Sequence, residues 1–348
     1  MQLSEFKPWF DEKLVLFLDK KISECEVFLS DAFLIENIKQ ARILAVNGGK
    51  RIRPYLASVL FEAVGGSDME DVTHYFIGIE LFHIFCLIHD DVIDRGDCRH
   101  SEQTIHEFSK KSLESQGRRG DLVHLGNSQA ILVGDLLFQW ASECFYGQDA
   151  SADVRQHLAT MIQEVILGQM IDVDIASRAT VSSELLDRKN LLKTARYSFV
   201  RPMQLGVFLG GGLQSDLSFC EEFGTALGKA FQVQDDLLDI ISSTGQLQKN
   251  IFADVRSGQH TFFTQYIFDH GSENDRSVLN ACFGRECGEQ ELKQLADVFE
   301  TSGAIKYGRK MIDDYFVVTQ NILAQSNYLE EIKDILQTII HYLANRSH

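Results

Sequence analysis

Three prolines in 348 residues, Pro8, Pro54 and Pro202, leave this chain almost no obstacle to long helices. Proline removes a backbone donor and clashes with the turn before it, so its scarcity permits unbroken helical runs. Strict alternation of apolar and polar residues is also scarce, which argues against strands. An all-α fold is expected. Apolar residues, 45% of the chain, supply enough material for a sizeable core.

Leu3, Phe6, Phe10, Leu14, Phe17, Leu18, Ile22 and Val27 recur near a helical period, so residues 3–34 read as one or two amphipathic helices. Their apolar face is expected to pack on the body or on a second subunit, which makes residues 1–40 a packing or dimer segment. A glycine turn (Gly48, Gly49) precedes a helix from Arg53 to about Val64, with Pro54 in its first turn, where a missing N–H costs nothing. Residues 69–94 read as one central helix, apolar nearly all round in YFIGIELFHIFCLIHDDVID. Residues 108–126 are polar and aperiodic and read as a long loop. Helical periodicity returns at 128–146, 152–177, 183–210 and 218–243. No repeat and no linker rich in Pro, Gly or Ser divides the chain, so residues 1–348 are expected to form one domain.

The formal charge of −17 argues against a nucleic-acid partner, since a surface that tracks phosphates needs clustered Lys and Arg. No run approaches the roughly 20 apolar residues of a membrane span, and the opening MQLSEFKPWFDEK lacks a signal peptide's layout. A soluble, cytoplasmic protein is expected. Seven cysteines without a CxxC pair indicate neither a disulfide framework nor a zinc site.

One pattern occurs twice at the end of an apolar helical run: Asp90-Asp91-x-x-Asp94 and Asp235-Asp236-x-x-Asp239. On a helix the first and last carboxylates share a face and the middle one lies about 100° away. So much negative charge beside an apolar helix is costly unless a cation binds there. Sparse hard oxygen ligands suit Mg²⁺, which shares its shell with water and substrate phosphates. An Asp-rich helix end alone could be solvated surface; two identical claws would have to arise twice by chance. Cations for a phosphate ligand are also present. GGKRIRP places Lys50, Arg51 and Arg53 beside a glycine pair, where a forked guanidinium can close on phosphate oxygens. Arg99, Lys193 and Lys249 lie near the claws in sequence, and each alone could be plain surface.

The ordered set GGKxxRP, Glu80-x-x-His83 through Asp94, Gly134-Asp135, Gly168-Gln169-x-x-Asp172, Lys193-Thr194, Phe231-Gln232 through Asp239, and Asp254-x-x-x-Gly258-x-x-Thr261 resembles the trans-isoprenyl diphosphate synthases, most of all the short-chain geranylgeranyl diphosphate synthases. The motifs run from about residue 40 to about 265. The resemblance implies a single-domain helical bundle of the isoprenoid synthase type around a central cavity, usually a homodimer, with both claws over its mouth. It implies condensation of isopentenyl diphosphate with an allylic diphosphate by ionisation, condensation and elimination, with about three Mg²⁺ ions per site. Asp90, Asp91, Asp94, Asp235 and Asp239 would hold metal, with Asp236 in support. Arg99, Lys193, Gln232 and Lys249 would hold the allylic diphosphate, with Thr194 beside them, and Lys50, Arg53 and His83 the isopentenyl diphosphate. His83 on a buried helix could otherwise be an ordinary core histidine. A class I terpene cyclase would pair one claw with an Asn/Ser/Glu motif, and a non-catalytic partner subunit would tend to lose aspartates; this chain keeps all six.

Two departures remove fixed positive charge: His100 stands where the family commonly has a second arginine, and Gln259 where it has a lysine. His100 is charged only part of the time near neutral pH. Product length is expected from the helix that carries the first claw. Phe85 lies roughly 7.5 Å along the axis before Asp90, Phe82 nearly one turn deeper, and the small Cys86 leaves room beside them. One aromatic at this depth resembles a geranylgeranyl producer and two adjacent aromatics a farnesyl producer, so a twenty-carbon product is expected, with fifteen as the alternative.

Overall fold

The computed structural model describes residues 1–99, 102–147, 150–241 and 252–345, and they are almost entirely helical. The single bundle expected from the sequence is organised as two compact units: residues 1–59 with 66–155, and residues 60–65 with 156 onward. The only strands among the described residues form a short antiparallel pair, Cys98–Arg99 with Glu102–Gln103.

The first unit is built on α1 (Leu3–Phe28), α2 (Ala32–Asn47), α4 (Met69–Asp94), α5 (Ile105–Ser115) and α6 (Leu122–Phe145), with α3 (Ile52–Ala63) crossing into the second. In α1 the stripe Phe6, Phe10, Leu14, Leu18 and Ile22 is buried within the chain. Phe6 stacks on Phe10 at 5.5 Å and meets Tyr55 at 5.3 Å. Full burial of such side chains stabilises by roughly 1.5–3 kcal/mol each. Of the apolar face expected on the body or on a second subunit, these five residues are taken up by the body, while Val27 is exposed. The central helix spans Met69–Asp94, the same residues read from sequence, and packs along α6.

The loop expected over 108–126 is mostly helix. α5 reaches Ser115 and α6 begins at Leu122, leaving only residues 116–121 between them. The buried positions of α5 are Ile105, His106, Ser109 and Leu113. Its stripe begins before the polar window and includes a serine, which is satisfied because Ser109 Oγ donates to the buried Asn37. An apolar-residue count over 108–126 does not register that stripe.

The second unit holds α7 (Ala152–Ile175), whose first residues belong to the first unit, α8 (Ser183–Asn190), a π-helix (Leu191–Val200), α9 (Arg201–Gly210) and α10 (Gln214–Ile241). It continues with α11 (Ala253–Arg256), α12 (Phe262–His270), α13 (Glu273–Cys282), α14 (Glu289–Thr301), α15 (Ala304–Gln325) and α16 (Glu330–Ala344). α10 packs against α15 and the π-helix. A Cβ on Gly168 would lie 2.5 Å from Lys193 N, and one on Gly228 2.5 Å from Ala195 Cα. These two glycines therefore let α7 and α10 touch the π-helix backbone on two sides. No helix among the described residues is long and apolar enough to cross a membrane. The described cysteines are free thiols, of which Cys144, Cys220 and Cys282 are buried and Cys98 is exposed.

Candidate active site

Arg51, in the turn before α3, has a left-handed backbone (φ 55°) and a fully buried side chain. Its Nε donates to Asp11 of α1 at 2.6 Å, Nη1 to Glu80 of α4 at 2.6 Å, and Nη2 to the Ala45 carbonyl at 2.6 Å. Burial opposes its charge, but Glu80 and Asp11 outweigh burial and raise its pKa. The reading of Arg51 as a phosphate-closing guanidinium is thus corrected: its donors tie α1, α2 and α4 together. The motif's glutamate, Glu80, is its partner. Lys50 on the same turn is exposed, and Arg53 and the α4 residue His83 are half-buried.

The first claw closes α4. Arg95 ends the helix in the left-handed region (φ 57°), and the Arg95 and Gly96 N–H groups both donate to the Asp91 carbonyl. The three carboxylates separate as helix geometry requires. Asp91 is buried, Asp90 is half-buried and Asp94 is exposed. The Arg99 guanidinium grips Asp91 with Nε at 2.9 and 3.0 Å from its two oxygens and Nη2 at 2.6 Å from Oδ1. Burial pushes the Asp91 carboxyl above its ordinary range, with the Arg99 fork pulling the other way. Further back along α4, Phe82 is fully buried and lies 5.6 Å from the half-buried Phe85. Phe138 of α6 meets Phe85 at 5.1 Å and Phe82 at 6.0 Å, and His89 lies 4.5 Å from Phe85. Cys86 beside them is half-buried.

The second claw is supported differently. Asp236 is buried; Gln232 Nε2 donates to its Oδ1 at 2.7 Å, and Thr194 Oγ1 of the π-helix donates to Gln232 Oε1 at 2.6 Å. Asp236 Oδ2 is buried with no hydrogen-bond partner among the described residues. Burial, and then the charge of Asp254, drive the Asp236 carboxyl well above its usual range. Asp239 accepts the Ala253 N–H at 3.1 Å and the Asp254 N–H at 3.2 Å. Burial and Asp254 nevertheless raise it to about 7, and Asp254 itself is raised to about 6, chiefly by burial. Asp172 of α7 accepts Lys193 Nζ at 2.6 Å and pairs with Lys189 Nζ at 3.2 Å. Burial would raise Asp172, but the two ammonium groups outweigh it and hold it low.

The sequence matches the polyprenyl synthetase family over residues 36–299. The chain belongs to that family. It is 30% identical to the short chain isoprenyl diphosphate synthase of Methanothermobacter thermautotrophicus, over 95% of both chains. It is 26% identical to the geranylgeranyl diphosphate synthase of Sulfolobus acidocaldarius, over 86% of this chain and 87% of that one. Its structure is similar to a geranylgeranyl pyrophosphate synthase from Corynebacterium glutamicum solved with isoprenyl diphosphate and magnesium, with a TM-score of 0.89 and 27% identity over 97% of this chain and 99% of that one. The all-α architecture is the one those synthases share.

Within a polyprenyl synthetase the acidic clusters fit a divalent cation. Among the described residues no three His, Cys, Asp or Glu side chains cluster closely enough to hold a metal ion by themselves. The buried Asp236 oxygen without a donor and the raised carboxyls around it are what a site shaped for a cation leaves behind. Of the residues predicted from sequence, Asp236, Gln232 and Thr194 form one hydrogen-bonded relay, and Asp91 and Arg99 one ion pair. His100 and Lys249 lie outside the described residues. Sequence reasoning did not single out Lys189, Phe138 or Arg51's framework role. Lys189 had one signal: it precedes Lys193 by four residues, an α-helical turn apart.

Proposed function

We propose that this polyprenyl synthetase is a short-chain trans-prenyltransferase that joins isopentenyl diphosphate to an allylic diphosphate and releases mainly geranylgeranyl diphosphate. It would act in the cytoplasm as a homodimer, with about three Mg²⁺ ions per site. One observation carries the reading: in both claws the middle aspartate is buried and held by a neighbour, while the first and last aspartates are less buried. A solvated acidic helix end has no reason to bury and clamp one carboxylate of three, twice.

Bound Mg²⁺ would supply the positive charge that lets the diphosphate depart. The chain's own part is placement. Arg99 occupies both oxygens of Asp91, so Asp90 and Asp94 are the metal-facing pair of the first claw. Asp235 and Asp239 serve that role in the second, with Asp236 behind them. Lys193, held by Asp172, meets the allylic diphosphate together with Gln232 and Lys249. Lys50, Arg53 and His83 hold isopentenyl diphosphate. The lysines and the arginine among these are fixed cations, which stabilise charge most where water is excluded. No side chain is needed as a base, since the departing diphosphate can take the proton.

The cluster of Phe82, Phe85 and Phe138 is the candidate stop for the growing tail. Incubation with Mg²⁺, isopentenyl diphosphate and each of the five-, ten- and fifteen-carbon allylic diphosphates, followed by product sizing, tests the reading. A twenty-carbon product is expected, and Phe85→Ala should lengthen it by one or more five-carbon units. No transfer with any primer would overturn the function, and an unchanged product from an active Phe85→Ala enzyme would overturn the stop.

A further inference from the structure

Lys189 is a buried lysine for which the mechanism above has no use. At 8% exposure it belongs to a class of side chain almost never buried without a partner. Its Nζ is fixed from two sides, by Asp172 Oδ1 at 3.2 Å and by the His260 carbonyl at 3.1 Å. The second oxygen of Asp172 is the one that holds Lys193. The ammonium of Lys189 also acts on Asp236 and Asp254, where it opposes the effect of burial. The turn it grips carries Gln259, a neutral residue whose Oε1 is buried without a hydrogen-bond partner among the described residues.

We propose that Lys189 is a positioning residue of the second claw: its buried ammonium fixes Asp172, so that Asp172 aims Lys193, and supplies the carboxylates with a permanent counter-charge that the neutral Gln259 beside it cannot. The geometry makes both roles concrete. One carboxylate accepts two lysines on separate oxygens, so loss of Lys189 frees Asp172 to swing and leaves Lys193 its only cationic partner in that contact. A buried carboxylate stripped of one cation is costly. The inference rests on reading the second claw as a metal and diphosphate site.

Lys189→Met, Lys189→Arg and the double variant Lys189→Met with Gln259→Lys test it, by thermal unfolding with and without Mg²⁺ and by steady-state kinetics. Lys189→Met should lower the metal-free Tm by roughly 5–10 °C, and Mg²⁺ should recover much of that loss. It should raise the KM for the allylic diphosphate roughly tenfold and leave the KM for isopentenyl diphosphate unchanged. Lys189→Arg, and a lysine restored on the same turn by Gln259→Lys, should each bring both values back toward wild type. An equal Tm loss with and without Mg²⁺, recovered by neither variant, would mean that Lys189 only packs, and the proposal would fall. A wild-type enzyme that transfers no prenyl group overturns the functional reading instead, while the unfolding measurements still decide the role of Lys189.

Discussion

In the first claw the middle aspartate is met by a guanidinium fork eight residues along the chain; in the second it is met by an amide, and one of its oxygens has no donor among the described residues. Arg99 is a fixed charge on a short hairpin, so Asp91 can stay ionised in a buried place. Asp236 is hydrogen-bonded by the neutral amide of Gln232, itself held by Thr194, and the Lys189 ammonium acts on it without a hydrogen bond, while Asp254 adds negative charge nearby. The same five-residue pattern therefore yields one middle carboxylate in a direct ion pair and one held by a neutral amide. A motif specifies where its carboxylates point along the helix; it does not specify what neutralises them.

The largest test of that comparison asks whether both claws are needed. Asp90→Ala and Asp235→Ala should each lower kcat by roughly a hundredfold or more in folded enzyme, since each removes a carboxylate that would hold metal against the diphosphate. Near-normal turnover in either variant would show that the claws are not equivalent in function and that one is only structural.

Stability should separate the claws where activity does not. Asp91→Asn leaves the half-buried Arg99 without its hydrogen-bonded counter-charge and should cost roughly 1.5–3 kcal/mol in metal-free protein. Asp236→Asn keeps an acceptor for Gln232 and removes a charge that burial disfavours, so its cost should be under about 1 kcal/mol. Equal losses in urea unfolding would erase the proposed difference between the ion pair and the amide.

The smallest effect lies in pH. Asp239 and Asp254 are raised to about 7 and about 6 in the folded chain, whereas an unfolded aspartate titrates near 3.9. A carboxyl raised in the folded state binds its proton more tightly there. Its contribution is fully present below about pH 4 and is lost as pH rises through about 6 to 7. Metal-free wild type should thus lose stability from about pH 4 to about pH 7 relative to Asp239→Asn, and added Mg²⁺ should flatten the difference. Parallel curves would show that Asp239 is not strained by burial.

Much of the site could be read from residue order, and the exceptions share a cause. The Asp-x-x-Asp spacing, the ends of α4 and the run to α10 follow from the helical period, which acts over a few residues. Arg51 reads as a phosphate ligand because its turn is rich in glycine and cations. Its partners lie 40 residues before it and 29 after it, too far apart for any local pattern to join. α5 was hidden for a related reason: Ser109 belongs to its buried stripe only because Asn37 accepts its hydroxyl. The π-helix reads as ordinary helix, since its residues are helical in pattern and only its backbone bonding five residues back, as from the Arg201 N–H to the Arg196 carbonyl, marks it. Such local widening recurs at functional sites, and here it carries Lys193 and Thr194.

By itself the sequence determined that this chain is helical, where its acidic clusters sit on their helices and which family it joins, because periodicity, capping and motif order are properties of neighbouring residues. Tertiary structure alone decided which carboxylate of each claw is buried, that Arg51 is spent on the frame, that Phe138 joins Phe85, and that Lys189 reaches Asp172. Burial and charge compensation are set by groups from distant segments, and their energies exist only once folding has excluded water and brought those groups within hydrogen-bond reach.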